Sequence, residues 1–245
     1  MEQKSFSGGD GARMTQDSRF RDIAAGSPLI VFCGIAIIGF GIQIARQWPT
    51  RDGFSSYAVI ASEAMGAVFL ATQLILTCVR RLPIDKAHGW RPRAWALVGA
   101  NSSYSLVLLP KTVPSATLAT ISLALIVIGT LGSIAALAWL GKGFAILPQA
   151  RQLVTNGPYR LVRHPLYLCE QLSLFGISLH YIQPWGLLIA IIGLGLQFPR
   201  MRYEEAVLTR AFPEYQSYAQ AVPLLVPGFY RRAHRSRRQT TSSKI

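Results

Sequence analysis

The chain has 245 residues, of which 51% are hydrophobic and only 15% charged, and its mean hydropathy is positive. That balance argues against a soluble domain and for an integral membrane protein. The net charge of +14 would suit a nucleic-acid binder, but no aromatic-interleaved basic patch or recognisable nucleic-acid module accompanies it, so no nucleic-acid partner is expected.

Residues 1–26 are rich in Gly, Ser and charge and are expected to form a flexible N-terminus. A bilayer crossing needs about 17–25 predominantly apolar residues. Four runs meet that need, at 27–45, 57–79, 94–110 and 115–140; two shorter runs with polar interruptions follow at 165–183 and 185–199. The first run starts too far along, behind too mixed a leader, for a cleaved signal peptide. Pro83, Gly89 and Pro92 mark 80–93 as a loop. Pro110 and Pro114 mark a short turn, and Gln183-Pro184 makes the last two runs a tight helical hairpin. Residues 200–212 read as a helix leaving the membrane, and Pro223 and Pro227 end the ordered structure.

The predicted architecture is therefore all-α, a polytopic transmembrane helix bundle of about six spans. If the N-terminus is cytoplasmic, 22 Lys and Arg fall on that side, and only Arg46, Arg51 and Lys111 fall opposite. The bias follows the positive-inside rule and places both termini in the cytoplasm. The basic tail at 231–245, with Arg231 to Arg238 at its head, is expected to lie over anionic membrane lipids.

Polar residues inside the runs are Glu63, Asn101, Ser102 and Ser103; interhelical hydrogen bonding is the favoured reading, ahead of a functional one. Gly129 and Ser133 have small-residue packing spacing. Cys33, Cys78 and Cys169 are widely separated, with no C-x-x-C pair, and read as apolar fillers with no metal.

Three polar segments carry the candidate chemistry. The first is Gly157-Pro-Tyr159-Arg-Leu-Val-Arg163-His164-Pro165-Leu-Tyr167. Pro165 pushes His164 toward extended geometry and suits the first position of a helix, so His164 should sit at the N-terminus of the fifth span. The first-turn amides of Leu166 to Leu168 would then lack helical partners and face an anion. The second segment is Arg200-Met-Arg-Tyr-Glu204-Glu205. At about 100° per residue, Glu204 and Glu205 cannot both face one group. Arg200 and Glu204, four apart, can pair locally, though in the weaker order. The third is Phe212-Pro213-Glu-Tyr215-Gln-Ser-Tyr218. Each segment alone has a plainer explanation: interfacial tyrosines, basic anchors, or a charged helix face.

Together, in this order, the segments resemble the isoprenylcysteine carboxyl methyltransferase family and its phospholipid methyltransferase relatives, over roughly residues 141–230. The family's Gly-x-Tyr and Arg-His-Pro-x-Tyr fall on Gly157, Tyr159, Arg163, His164, Pro165 and Tyr167, and its Arg-x-x-x-Glu-Glu on Arg200, Glu204 and Glu205. The aromatic motif fits less closely, with Pro213 in a Gly place. Cys169 stands where the family has Gly, and is expected to narrow the space beside the cofactor. The resemblance implies an integral membrane methyltransferase using S-adenosylmethionine. With the runs read above, the chain divides into a flexible cytoplasmic N-terminus over 1–26, four membrane helices over 27–140, the methyltransferase-like region over 141–230 and a basic disordered tail over 231–245.

The cofactor-binding residues would be Tyr159, His164, Pro165, Tyr167, Leu168, Glu204 and Glu205. Arg163, Arg200 and Glu205 would serve the reaction, an Arg meeting an anionic substrate group. The acceptor would be lipophilic or small and bear a carboxyl or thiol. A carboxylate needs no general base, a thiol (pKa about 8.5) needs partial ionisation, and an amine must be neutral. Two other readings stay open: a nicotinamide-dependent membrane reductase on a similar scaffold, and a non-catalytic membrane sensor or partner subunit. The six-span arrangement predicts that single cysteines placed in 46–56 and in 80–93 are labelled by an impermeant reagent from opposite sides of sealed vesicles; labelling of both from one side overturns it.

Overall fold

A computed structural model describes residues 8–49, 53–110, 112 and 115–226. Arg51, Lys111, Pro114, Pro227, the basic tail and the side chains of Asn101 and Ser103 lie outside the described residues. The described residues are helical almost throughout, as the apolar runs predict. Among them seven α-helices follow one another: α1 (Gly8–Gln47), α2 (Gly53–Val79), α3 (Trp90–Asn101), α4 (Ala116–Leu140), α5 (Pro165–Ser178), α6 (Trp185–Ala211) and α7 (Tyr215–Ala221).

Among the described residues three helices contain segments long and apolar enough to cross a membrane: Gly26–Gln47, Val59–Val79 and Ala116–Gly143. The other expected crossings fall on different geometry. The run at 94–110 divides at Ser102, where α3 gives way to a 3-10 segment, Ser102–Leu108. Ser102 and Ser105 there donate their hydroxyls to the carbonyls of Gly99 and Ser102, local bonds that compete with regular helix. Helix α5 has 14 residues, about 21 Å at 1.5 Å per residue, against a hydrocarbon core of about 30 Å. Helix α6 runs without a break through Pro199 into the charged segment, so 185–199 and 200–212 form one element.

Two expectations need correction. Residues 8–26 are not an irregular leader but the first part of α1. Loop 80–93 holds a short strand, β1 (Asp85–Lys86), paired antiparallel with β2 (Gln149–Ala150), Asp85 opposite Ala150. Both corrections have one physical basis. Asp22, near the middle of α1, accepts from Arg80 Nε at 2.9 Å and from Arg151 Nη1 and Nη2 at 3.0 and 2.8 Å. The Arg151 side chain is 0% exposed and Asp22 7%. Arg151 also donates to the Arg81 carbonyl and to Gln149 Oε1. One carboxylate thus ties α1, the end of α2 and the strand pair together. Burial pushes the Asp22 carboxyl up, but the two guanidiniums outweigh it and hold the carboxyl below its ordinary value.

Small residues set the helix spacing. A Cβ on Gly129 of α4 would lie 2.6 Å from the Cys169 carbonyl and the Ser173 amide of α5. One on Gly176 of α5 would lie 2.8 Å from the Ser122 carbonyl. Ser122 Oγ donates to the Gly176 carbonyl at 2.7 Å across the same seam. This is close packing of the kind that apolar surroundings favour, where helices gain little from excluding water. Gly129 thus serves packing, as its spacing suggests. Glu63 is buried between α1 and α2, where Gln47 Nε2 donates to both its oxygens at 3.0 and 3.1 Å. Gln171 Nε2 donates to the Ala190 carbonyl at 2.7 Å and joins α5 to α6.

Asp22→Asn leaves two buried guanidiniums without a counter-charge, a change that costs about 3–5 kcal/mol in buried pairs. Because the folded-state pKa lies below the ordinary 3.8, the ion pair's stabilisation is present above that value and is lost as pH falls through the folded pKa. Thermal melts in detergent should therefore show Asp22→Asn well below the native chain at pH 7, with the gap closing as acid protonates Asp22.

Candidate active site

The three polar segments converge at one end of α5 and α6. Gly157 opens the first with φ +59°, in the region that favours glycine. Any side chain there would also strike the Trp139 ring, 2.4 Å from an added Cβ. A 3-10 turn, Gly157–Arg160, leads into the Arg163-His164-Pro165 step. His164 is the N-cap of α5 (φ −123°, ψ 61°) and Pro165 its first residue, as the local sterics predict. The backbone N–H groups of Arg163 and His164 donate to the carbonyls of Pro223 and Leu224 at 2.9 and 3.2 Å, so the segment after α7 lies along the motif.

Glu205 of α6 is the hub. Its Oε1 is ion-paired with Arg163 Nη1 at 2.7 Å and hydrogen-bonded to His164 Nε2 at 3.3 Å and Tyr215 Oη at 3.3 Å. Burial pushes the Glu205 carboxyl up, but the hydrogen bond and charge of His164, with Arg163 and Tyr215, hold it below the usual range. The same surroundings push the Tyr215 phenol up, burial first and the Glu205 charge second, so it stays a donor. Tyr218 donates to the Tyr159 carbonyl at 2.6 Å; burial raises that phenol to about 12. All three segments are thereby joined.

Glu204 faces elsewhere and accepts from Tyr167 Oη at 2.5 Å. The two adjacent carboxylates serve separate partners, as helix geometry requires. Arg200, 4% exposed, lies over the Tyr167 ring with its guanidinium carbon 4.5 Å from the centroid. Its other contacts are long: Gln197 Oε1 at 3.4 Å and the Ile146 carbonyl at 3.5 Å. Its Nε has no hydrogen-bond partner among the described residues. The local Arg200–Glu204 pair allowed by their spacing does not form, because Tyr167 takes up both groups. Glu170, half-buried on α5, is close enough to feel Arg200 and Glu204. Sequence reasoning missed it; its position three residues after Tyr167, hence on the same helix face, was the available signal.

Two expectations are corrected here. The Leu168 amide is not free but donates to the His164 carbonyl at 3.2 Å, and the Leu168 side chain is exposed. A first helical turn starting at Pro165 already supplies Leu168 with its i−4 partner. Cys169 does not face Glu204 or Arg200. A Cβ on Gly132 of α4 would sit 2.6 Å from its Sγ, so the thiol fills a notch on the α4 side. Residues 167 and 169 lie about 200° apart around a helix, which turns one to α6 and the other to α4. Among the described residues no group of three or more His, Cys, Asp or Glu could hold a metal ion.

Residues 115–215 match the phospholipid methyltransferase family, which bears out the resemblance carried by the motifs. The match takes in α4, α5, α6 and every residue joined at Glu205. The chain is also 33% identical over 112 residues to the nickel-cobalt-cadmium resistance protein NccN of Alcaligenes xylosoxydans xylosoxydans, covering 44% of this chain and 52% of that protein. It is 37% identical over 76 residues to the cobalt-zinc-cadmium resistance protein CzcN of Cupriavidus metallidurans, covering 31% of this chain and 35% of that protein. The chain therefore spans about half, or less, of the length of these curated relatives.

The Cys169–Gly132 contact generates a reciprocal test. Gly132→Ala should lower the melting temperature by crowding Sγ, and Cys169→Gly should lower it by opening a void and placing Gly in a helix, the latter alone about 1 kcal/mol. In the double variant the added methyl occupies the vacated space, so the two losses should sum to less than additivity predicts in a double-mutant cycle.

Proposed function

We propose that this protein is an integral membrane methyltransferase that uses S-adenosylmethionine and acts on a lipophilic or small acceptor bearing a carboxyl or thiol group. The observation that carries this reading is the convergence of Arg163, His164, Tyr167, Glu204, Glu205 and Tyr215, drawn from three separated segments, within the part of the chain that matches a methyltransferase family. Three apolar helices support a membrane location. Six crossings with both termini cytoplasmic, and residues 141–230 as the methyltransferase region, complete the proposal.

The residues fit the cofactor's chemistry. The cofactor carries a carboxylate, an ammonium, ribose hydroxyls and an adenine. Against these the site offers a buried guanidinium with an unpartnered Nε, the Glu170 and Glu204 carboxylates, and the Tyr159 and Tyr167 rings. When bound, S-adenosylmethionine would supply an electrophilic methyl group on a sulfonium. The protein's part is to position, to exclude water and to set charge. Glu205 clamps Arg163 and His164, so the turn entering α5 is rigid and its guanidinium is already neutralised. That makes Arg163 a structural cation and leaves Arg200 as the cation available to an anionic ligand group. Tyr167, held by Arg200 on its face and Glu204 at its hydroxyl, has a single orientation. Methyl transfer from a sulfonium to an anion annihilates charge, so a site shielded from water favours it. No residue here has to act as a base for a carboxylate acceptor, and catalysis then rests on proximity and orientation.

The relatives' names refer to resistance to nickel, cobalt, cadmium and zinc; a methyl acceptor is not specified by those names. The test is equilibrium binding of S-adenosylmethionine to detergent-purified protein, followed by transfer of labelled methyl to a panel of lipophilic carboxylates and thiols. His164→Ala, Tyr167→Phe, Glu204→Ala and Glu205→Ala should each weaken binding by about tenfold or more, the loss of about one charge-assisted hydrogen bond. Normal binding by a folded variant with all four changes overturns the site. Binding of a nicotinamide cofactor in its place favours the reductase reading, and binding of neither favours a non-catalytic role.

A further inference from the structure

Three apolar segments end together at one place. Asp22 lies just before Gly26–Gln47, Arg80 just after Val59–Val79, and Lys142 at the end of Ala116–Gly143. Arg80 Nε meets Asp22 at 2.9 Å, and the Arg81 amide donates to the Lys142 carbonyl at 2.8 Å. Arg151 reaches the same point from the strand pair. The headgroup layer of a bilayer begins where such segments stop, so this cluster sits at headgroup depth.

Charge does not balance there. Arg80 and Arg151 share one carboxylate, Asp22, and their side chains are 8% and 0% exposed. Among the described residues no other carboxylate lies within 4.0 Å of either, nor of the exposed Arg81 and Lys142 beside them. One buried positive charge is therefore left over. The hydrogen bonds are incomplete as well. Arg151 directs Nη1 and Nη2 to Asp22, the Arg81 carbonyl and Gln149, and its buried Nε has no acceptor among the described residues. Arg80 directs Nε and Nη2 to Asp22 and leaves Nη1 unused among the described residues. Gly26 lets Arg80 lie against α1, where an added Cβ would be 2.8 Å from Nη2. Burial first, and the neighbouring Arg151 charge second, hold the Arg80 guanidinium below its ordinary value.

An uncompensated buried charge is costly, and an anion relieves it. A phosphate suits this place, because its oxygens match the fork of guanidinium donors. The surface on the membrane side of Arg80 is apolar: Ile75 and Val79, one turn apart on α2, are both exposed. They offer acyl chains a face to lie along while a headgroup is held at Arg80.

We propose that Arg80 and Arg151, flanked by Arg81 and Lys142, form a binding site for a phosphate group at the membrane surface, apart from the residues joined at Glu205 and Tyr167. Phosphate oxygens meet Arg80 Nη1, and Arg151 contributes its charge. Ile75 and Val79 favour an anionic phospholipid over free phosphate as the source. The bound phosphate completes the joint between α1, α2 and the strand pair, so it stabilises the fold.

The test is a thermal melt of the full chain in detergent micelles, titrated with dioctanoylphosphatidylglycerol. Dioctanoylphosphatidylcholine, neutral overall, and inorganic phosphate are the comparisons. A ligand of the folded state raises the melting temperature with concentration. Phosphatidylglycerol should do so at concentrations about tenfold or more below those needed of phosphatidylcholine, the scale of one charge-assisted contact. Arg80→Gln should weaken the phosphatidylglycerol response about tenfold. Arg81→Gln and Lys142→Gln should each weaken it about fivefold. Asp22→Asn should act in reverse: with the competing carboxylate neutral, phosphatidylglycerol binds more tightly and recovers part of that variant's lost melting temperature. Inorganic phosphate that gives the same Arg80-dependent shift keeps the site and makes free phosphate its ligand. A native chain that responds to neither phosphatidylglycerol nor phosphate overturns the site. So does an equal response to phosphatidylcholine, or a native-sized response in Arg80→Gln, which would trace lipid binding to the basic tail. If Arg80→Gln does not fold, Asp22→Asn and the double variant Arg81→Gln, Lys142→Gln decide, and native-sized responses in both overturn the proposal.

Discussion

Oxygen Oε1 of Glu205 receives a guanidinium, an imidazole nitrogen and a phenol, each from a different stretch of chain: Arg163 and His164 at the entry to α5, and Tyr215 at the start of α7. A carboxylate in a half-buried position is expensive unless it is paired and hydrogen-bonded, and the guanidinium pairs it while the imidazole and phenol bond it. The consequence is mechanical. The turn before α5, the lower part of α6 and α7 cannot move independently without stranding a charge. Tyr218 on the Tyr159 carbonyl and the backbone bonds from Arg163 and His164 to the 223–224 segment add further ties of the same kind.

That hub works only because the helices bearing it approach closely. Gly129 and Gly176 let the α4 and α5 backbones meet, and Gln171 ties α5 to α6. In apolar surroundings such contacts and interhelical hydrogen bonds carry the packing, since burying one more leucine gains little there. The α4–α5 seam thus sets the position of Pro165 and His164, and α6 brings Glu204 and Glu205 to meet them. The Asp22–Arg80–Arg151 cluster does the corresponding task for the first part of the chain, fastening α1 and α2 to the strand pair that leads into the Gly157 turn.

Within the site the two guanidiniums have different surroundings. Arg163 is ion-paired with Glu205 at 2.7 Å. Arg200 has no carboxylate within 4.0 Å among the described residues and lies against the face of the Tyr167 ring. Tyr167 orients two charged groups by keeping them apart.

The helical architecture was legible from apolar periods and prolines because those signals are local. The entry of α5 at Pro165, the N-cap position of His164 and the divergence of Glu204 from Glu205 all follow from backbone sterics within a few residues. The motif order was enough to bring Arg163, His164, Tyr167, Glu204 and Glu205 into one hypothesis. What the sequence could not decide was partnership across long separations. Asp22 and Arg151 are joined by a contact spanning 129 positions, and nothing near either residue announces the other. The same limit hid Glu170, misplaced Cys169 and left the Arg200–Glu204 pair open. Which side of a helix a residue presents is set by neighbours that only the packed structure supplies, and a buried charge takes whichever partner that packing brings within reach.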